Sequence, residues 1–490
     1  MNPLKGRSIP ATSYAWLVLL IGALSIFGTV MDRGASNVVI PTLAKEFKSD
    51  IPTVQWVLIA YLLTLAALLL PMGRLADIIG RKRLIIIGLC IFSLGSAATA
   101  TSSNLPLLFT SRVLQGVGSA MIQGTSMTLV VDAFGANQRG KSVGLILIFV
   151  GLGNIAGPAM GGFITGLIGW RAVFLTSGSI TILSSLLSIL ILKKDSHLVD
   201  ISQKFDWLGS FLCVAMLVGL LGGFTMSSRV GWISPITLIC FLSFIIFGIG
   251  FCRRSLNTKA PVLDLSLFGK PLFTTSVISN LFCFFGMASV WFLLPFYLEY
   301  VHGYSPTQVG MVFIPAAIFM AISSPLSGRL SDKFGWRKFT VGGMLMASAG
   351  LGILSTLNEN SSAYVACLSI IPISSGMGIF YGPNNSATLS VLGNSNYGSA
   401  IGLINLIRNS GNIISISLSA LMVSYVMGSM GYAPDLSNVI PSSRTGSVDA
   451  FVTGMKVTFA VVTMFTICAA VLSSYKGRIN PSDNKNHSFS

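Results

Sequence analysis

Fourteen apolar runs follow one another along the 490-residue chain, separated by short polar stretches. They cover about 14–38, 53–72, 84–102, 105–132, 142–167, 171–192, 207–226, 233–252, 272–298, 307–327, 339–357, 362–383, 398–427 and 450–473. Crossing about 30 Å of hydrocarbon takes roughly 20 apolar residues as helix. The pattern therefore predicts an all-α polytopic membrane protein with fourteen transmembrane helices. The first run continues from Tyr14 past Val30 behind Lys5 and Arg7. That outlasts the apolar stretch of a secretory signal, about 7–15 residues, so it reads as the first membrane helix.

The polar stretches carry a second pattern. GRLADIIGRKR at 73–83 joins runs 2 and 3, and GRLSDKFGWRK at 328–338 joins runs 10 and 11. The same layout eight runs apart predicts two related halves, as in many secondary transporters. Six helices in each half leave runs 7 and 8 as extras, behind the polar stretch KKDSHLVDISQKFD at 193–206. The expected division is a six-helix bundle over 1–195, a linker with two extra helices over 196–260, a second bundle over 261–475, and a tail over 476–490. Of 31 Lys and Arg residues, 22 fall in segments that are cytoplasmic if the N-terminus is inside, and five fall outside. Cations in short loops mark the cytoplasmic side, so both termini are expected in the cytoplasm.

Composition adds exclusions. Only 9% of residues are charged and mean hydropathy is +0.78, against about 25% charged in soluble domains. The net charge of +16 does not imply nucleic acid, because the cations sit in short groups between runs rather than on one face. The seven cysteines lie in or at the ends of runs without a CxxC, which reads as small buried hydrophobes rather than disulfides or metal ligands. The three histidines lie in loops or the tail, so no metal site is expected. No phosphate-binding loop is present, so ATP is not expected to drive any transport.

Few residues are left to carry chemistry. Of fifteen acids, Asp32 alone lies well inside a run, and Glu299 sits at the outer end of run 9. A charge at mid-bilayer costs about 2.5–3.5 kcal/mol on insertion scales and marks function more often than not. A carboxyl held out of water can take up and release a proton near neutral pH. Asp32 is therefore the expected proton site, and Arg112 in run 4 its expected regulator. The bland alternative is a structural pair of Asp32 with Arg33 or Arg112. In run 5, Gly153, Gly157, Gly161 and Gly162 are expected on one side of a helix around Pro158, where small residues admit close packing. Asn37, Trp56, Tyr61, Glu299, Arg408, Asn409 and Asn412 are the candidates to line a cavity; Phe284, Phe285, Trp291 and Tyr297 are weaker ones. In the repeated loop, Gly73, Asp77, Gly80 and Arg81, with Asp332 in the second copy, have the makings of a latch. Glycines there permit positive φ, and an aspartate caps a helix or pairs with arginine.

These motifs resemble those of the major facilitator superfamily, and within it the fourteen-span drug:proton antiporters. GRLADIIGRKR is similar to the signature G-x-L-a-D-r-x-G-r-k-r. SRVLQGVGSAM (111–121) resembles R-x-x-q-G, and GNIAGPAMGG (153–162) the G-x-x-x-G-P-x-x-G-G found mainly in exporters. MDRGASNVVIP (31–41), FLLPFYLEYVHGYSPTQVGMVFIP (292–315) and LIRNSGNIISIS (406–417) are similar to other segments of that family. The chain departs from the pattern at Arg33, where a small or apolar residue is usual, and at Glu299, often Gln. The resemblance implies a major facilitator fold of two six-helix bundles plus two extra central helices. It implies a proton-coupled exporter of hydrophobic or cationic small molecules, such as drugs, in a bacterial plasma membrane. It further implies a monomer with no cofactor beyond the coupling proton, the lipid bilayer and substrate as its only partners, and a latch built on Gly73, Asp77 and Arg81. Rival readings are an importer on the same fold, against which the Gly-Pro motif argues, and a non-transporting sensor, which would want a large soluble domain. A membrane enzyme would need a nucleophile–base or metal constellation, and none is visible.

Overall fold

A computed structural model describes residues 11–134, 139–193, 205–258, 261–263, 265–390, 397–432 and 446–475. Most of the polar stretch at 193–206, namely 194–204, and the expected tail over 476–490 lie outside the described residues.

The apolar runs form fourteen long helices: α1 (Ala11–Glu46), α2 (Trp56–Ile79), α3 (Arg81–Ala100), α4 (Leu105–Phe134), α5 (Arg139–Leu167), α6 (Trp170–Ile191), α7 (Trp207–Val230), α8 (Pro235–Asn257), α9 (Pro271–Phe296), α10 (Pro306–Phe334), α11 (Trp336–Leu354), α12 (Ala363–Ser390), α13 (Tyr397–Ser429) and α14 (Ser447–Ser474). Among the described residues, thirteen are long and apolar enough to cross a membrane. The other is α11, whose 19 residues begin WRK and include four glycines. Several ends are set by local chemistry. Ser305 caps α10 in a reciprocal box with Gln308, and Pro306 follows at the first helical position, where its missing N–H is no loss. Asp206 caps α7 by accepting from the Gly209 amide at 3.0 Å and also pairs with Arg254 of α8 at 3.1 Å. α9 ends in a π-turn over Tyr297–Val301.

Packing sorts the helices into two bundles. In the first, α1 lies against α4, α5 and α6, α4 against α2 and α3, and α3 against α6. In the second, α9 lies against α12, α13 and α14, α12 against α10 and α11, and α11 against α14. With α1 matched to α9 and so on, most of these pairings correspond between the halves. The bundles meet along two main seams, α5 against α10 and α2 against α13. The two seams are the same pairing seen from either half, as a pseudo-twofold axis requires. The extra helices break this symmetry. α7 rests on the α2–α13 seam, where Thr225 and Ser417 hydroxyls lie 3.2 Å apart, and α8 packs chiefly on α7. α8 turns Ile239, Leu242, Ile246 and Ile249 outward, a side-chain set suited to lipid.

The repeated loops share one backbone device. Gly80 joins α2 to α3 at φ +98°, and Gly335 joins α10 to α11 at φ +84°. Each amide closes the preceding helix, on Ala76 and Ser331 respectively. Such a one-residue joint with ψ near 140–150° belongs almost solely to glycine. Nothing lies within 4 Å of a methyl added at Gly335, so Gly335→Ala tests the backbone alone. It should cost about 1–3 kcal/mol, read as a lower melting temperature of the detergent-solubilised protein; an unchanged value would show the joint to be unstrained by a side chain.

Candidate functional site

Asp32 lies mid-helix on α1 and is fully buried. Arg112 Nη1 of α4 donates to its Oδ2 at 2.6 Å. Ser177 Oγ of α6 donates to Oδ1 at 2.7 Å, and Gln115 Nε2 reaches the same oxygen at 3.4 Å. Arg112 is equally buried and fully engaged. Its Nε donates to the Val57 carbonyl of α2 at 2.9 Å, Nη1 also to Gln115 Oε1 at 2.6 Å, and Nη2 to Ser36 Oγ at 3.2 Å. The Tyr61 ring lies 4.5 Å from the guanidinium and the Phe174 ring 5.2 Å. The Tyr61 hydroxyl is in turn bonded to Ser119 at 2.7 Å and donates to the Thr29 carbonyl. A buried ion pair survives desolvation only when its remaining donors and acceptors are met, and here they are. Arg112 is thus held by Val57 and Gln115 as well as by Asp32.

Arg33, the next residue, goes elsewhere. Successive residues on a helix point about 100° apart. Asp32 faces the interior of the first bundle, whereas Arg33 faces the gap between bundles. There it donates to Asn409 Oδ1 of α13 at 3.1 Å and to Asn154 Oδ1 of α5 at 2.5 Å. The expected alternative pairing of Asp32 with Arg33 does not form; Asp32 pairs with Arg112. Arg33 lines a cavity between the bundles with about 600 Å³ of empty space, counting what is open to solvent. Asn37, Asn154, Leu58 and Pro158 line it from the first half, and Phe284, Trp291, Met320, Met377 and Asn412 from the second. Among its described lining residues there is no Asp or Glu.

One further bond crosses the gap nearby. Arg408 of α13 donates to Gln123 Oε1 of α4 at 3.1 Å and, within its own half, to the Tyr381 hydroxyl at 3.2 Å. The glycines of α5 serve two partners rather than one. A Cβ at Gly153, Gly157 or Gly161 would strike α1, at Val30, Met31 and Gly34, and Ala35. A Cβ at Gly162 would instead meet Gly310 Cα of α10 at 2.7 Å, and also the Pro306 carbonyl. Adjacent positions cannot share a helix face, so the expected single glycine face divides into one within the bundle and one between bundles.

A profile of the Major Facilitator Superfamily matches residues 22–205 and 207–416. The chain belongs to the major facilitator superfamily. Among curated relatives, it is 32% identical over 376 residues to the riboflavin transporter RibZ of Clostridioides difficile, covering 76% of this chain and 81% of that one. It is 25% identical over 427 residues to the multidrug resistance protein Stp of Mycobacterium tuberculosis, covering 87% and 79%. It is 28% identical over 363 residues to the tetracenomycin C resistance and export protein of Streptomyces glaucescens, covering 74% and 67%. A solved bacterial homolog of the human lysosomal transporter Spinster, inward-facing and unoccupied, superposes with TM-score 0.67 at 18% identity over 97% of this chain and 99% of that one. The fold is thus that of a major facilitator transporter.

In this major facilitator the residues expected from sequence are distributed over several places. Asn37, Asn412, Phe284 and Trp291 line the cavity. Tyr61 does not; it roofs the Asp32–Arg112 pair. Trp56, Phe285 and Tyr297 are likewise absent from the cavity wall, Tyr297 donating to the Asn358 carbonyl at 3.0 Å. Asn409 and Arg408 stand behind the wall, where Asn409 holds Arg33. Glu299 is buried in the π-turn after α9 with one carboxyl oxygen unpartnered. In the repeated loop, Gly73 packs closely on Gly124 of α4, and Arg81 forms an ion pair with Asp132 at the end of that helix. The side chains of Asp77 and Asp332 lie outside the described residues. Sequence reasoning missed Gln115, Ser177, Asn154 and Asp132. Gln115 was legible, three residues after Arg112 and so on the same face. Ser177 was not, because nothing local distinguishes it from the other serines of α6.

Proposed function

We propose that this transporter is a proton-coupled exporter of hydrophobic aromatic small molecules. It alternates access around the Arg33 cavity and uses Asp32 as its proton site. In this reading it works as a monomer in a bacterial plasma membrane with both termini in the cytoplasm, and needs no cofactor beyond the proton. The observation that carries it is the sealed Asp32–Arg112 pair one residue from a cavity wall. Protonation cancels the charge that holds α1 to α4 and α6. α1 also carries Arg33, so its relaxation moves a side chain that bridges α5 and α13. Proton uptake and the separation of the bundles are thereby linked through one helix. Export as the direction is supported by the Gly-Pro motif of α5 and by relatives named for resistance and export. The repeated loop with its Arg81–Asp132 pair would serve as the cytoplasmic latch.

The test is transport by purified protein in liposomes under an imposed pH gradient, with a panel of aromatic drugs and dyes. Substrate should accumulate in the acidic compartment and leak back when a protonophore collapses the gradient. Movement that ignores the gradient would overturn proton coupling. A second reading, movement of riboflavin, is favoured by the 32% identity to a riboflavin transporter. The same liposomes decide it through the vitamin's own fluorescence.

A further inference from the structure

We propose that the cavity selects by charge: it takes an aromatic molecule carrying oxygen acceptors or a negative charge and turns cations away, with Arg33 as the recognition residue. This rests on the cavity's being the substrate site of a transporter, and not on export or on proton coupling.

The first argument is charge. Among the described residues, the middles of the helices bury three guanidiniums, of Arg33, Arg112 and Arg408, for the one carboxylate of Asp32, the buried carboxyls of Asp206 and Glu299 lying at helix ends. That carboxylate is consumed by Arg112. Arg33 forms no salt bridge among the described residues; its partners are the neutral amide oxygens of Asn154 and Asn409. Arg408 is held likewise by a hydroxyl and an amide oxygen. Neutral partners satisfy the donors without cancelling the charge, and in a poorly solvated gap an uncancelled charge acts over a longer range than in water. An aromatic cation seated beside Arg33 would be repelled and would find no carboxylate on the cavity wall.

The second argument is hydrogen-bond capacity. Arg408 Nε and Asn409 Nδ2 are buried donors without partners. Asn409 is the residue whose carbonyl holds Arg33. On the opposite side of the ledger, Asn37 Oδ1 is an unpartnered acceptor in the cavity wall itself. Unmet buried groups want a partner; the two donors stand behind the wall, whereas Arg33 and Asn37 are in it. A ligand bearing carbonyl, phenolate or carboxylate oxygens for Arg33, on a ring that also has a donor for Asn37 Oδ1, meets the groups of the wall itself.

The third argument is shape and softness. Phe284 and Trp291 supply flat surfaces, and Met287, Met320 and Met377 supply adaptable ones. An arginine fork additionally favours planar, acceptor-rich groups over point charges. The chain's departure from the pattern of its resemblance, arginine after the membrane aspartate, is thus the feature that sets the sign of the substrate.

Two dyes with one xanthene ring system and opposite charge test this: anionic fluorescein and cationic rhodamine 6G. Binding to the full-length protein in detergent is read by fluorescence anisotropy at equilibrium and near neutral pH, with no gradient. Wild type should bind fluorescein at least tenfold more tightly than rhodamine 6G. Arg33→Gln should bring the ratio close to one, chiefly by weakening fluorescein. Arg33→Lys, which keeps the charge, should keep the preference. Tighter or equal binding of rhodamine 6G by wild type, no binding of fluorescein, or an unchanged ratio in Arg33→Gln overturns the proposal. So does loss of the preference in Arg33→Lys, which would mark Arg33 as a strut between bundles. If Arg33→Gln does not fold, the wild-type ratio and Arg33→Lys still decide. Failure of export or of proton coupling would leave these binding ratios unmoved, so the two readings fail separately.

Discussion

Asp32→Asn is expected to reduce gradient-driven transport in liposomes to the background of empty vesicles. Asparagine has nearly the same shape, but it replaces one acceptor oxygen with a donor and removes the negative charge. The Asp32 oxygens accept from Arg112, Ser177 and Gln115. An amide nitrogen in either place faces a donor, and the Arg112 guanidinium is left buried without its counter-charge. Removing one partner of a buried ion pair costs about 3–5 kcal/mol, so the variant should also melt at lower temperature. Loss of stability and loss of coupling are separated by substrate counterflow without a pH gradient. That exchange needs a folded carrier but no proton, and Asp32→Asn should retain it. Gradient-driven transport equal to wild type would end the role of Asp32. Attention would then pass to Glu299, a buried carboxyl with one oxygen that has no partner.

Gly162→Ala should open the α5–α10 seam and slow transport even where binding persists. The added methyl would stand 2.7 Å from Gly310 Cα and 2.8 Å from its nitrogen. Both are backbone atoms and cannot rotate aside, so the two helices must part. Overpacking of this kind costs about 1–3 kcal/mol, and the cost falls only on the state in which the seam is closed. A difference of that size shifts a two-state balance by roughly 5- to 150-fold. Thr307→Cys, at the same end of α10 and against Gly166, reports the opening. Its labelling by a membrane-impermeant maleimide should accelerate at least fivefold when Gly162→Ala is added. An unchanged rate would show that this seam does not gate the protein. Gly157→Ala is the control. Its methyl would press on Met31 and Gly34 of α1 within one bundle, so it should lower stability without exposing Thr307→Cys.

Much of the architecture was legible because it is local. A run of apolar residues becomes a membrane helix wherever it lies, and all fourteen expected helices are present. The ends moved, as for α1, expected over 14–38 and observed over Ala11–Glu46, because a helix continues past the apolar run until its backbone finds a cap or turn. The repeated loops were legible because Gly80 and Gly335 are needed by a backbone angle that no neighbour can supply. The candidate site was legible in part. Asp32 and Arg112 were identifiable singly, since a charge inside an apolar run is conspicuous. Asn154 lay within a recognised motif yet passed unnoticed among the glycines around it.

The amino-acid sequence by itself determined the number of helices, the two related halves, the glycine joints and the presence of a buried acid and buried arginines. Each follows from a single segment's composition or spacing. Only the tertiary structure decided that Asp32 pairs with Arg112 rather than with Arg33 beside it. It also decided that Gly162 serves α10 while Gly161 serves α1, and that Tyr61 covers an ion pair instead of lining the cavity. The physical reason is common to all three. Neighbours on a helix point about 100° apart, so adjacent residues enter different compartments. Which compartment each enters depends on how far the whole helix is rotated against its partners, and that rotation is settled by packing across the bundles.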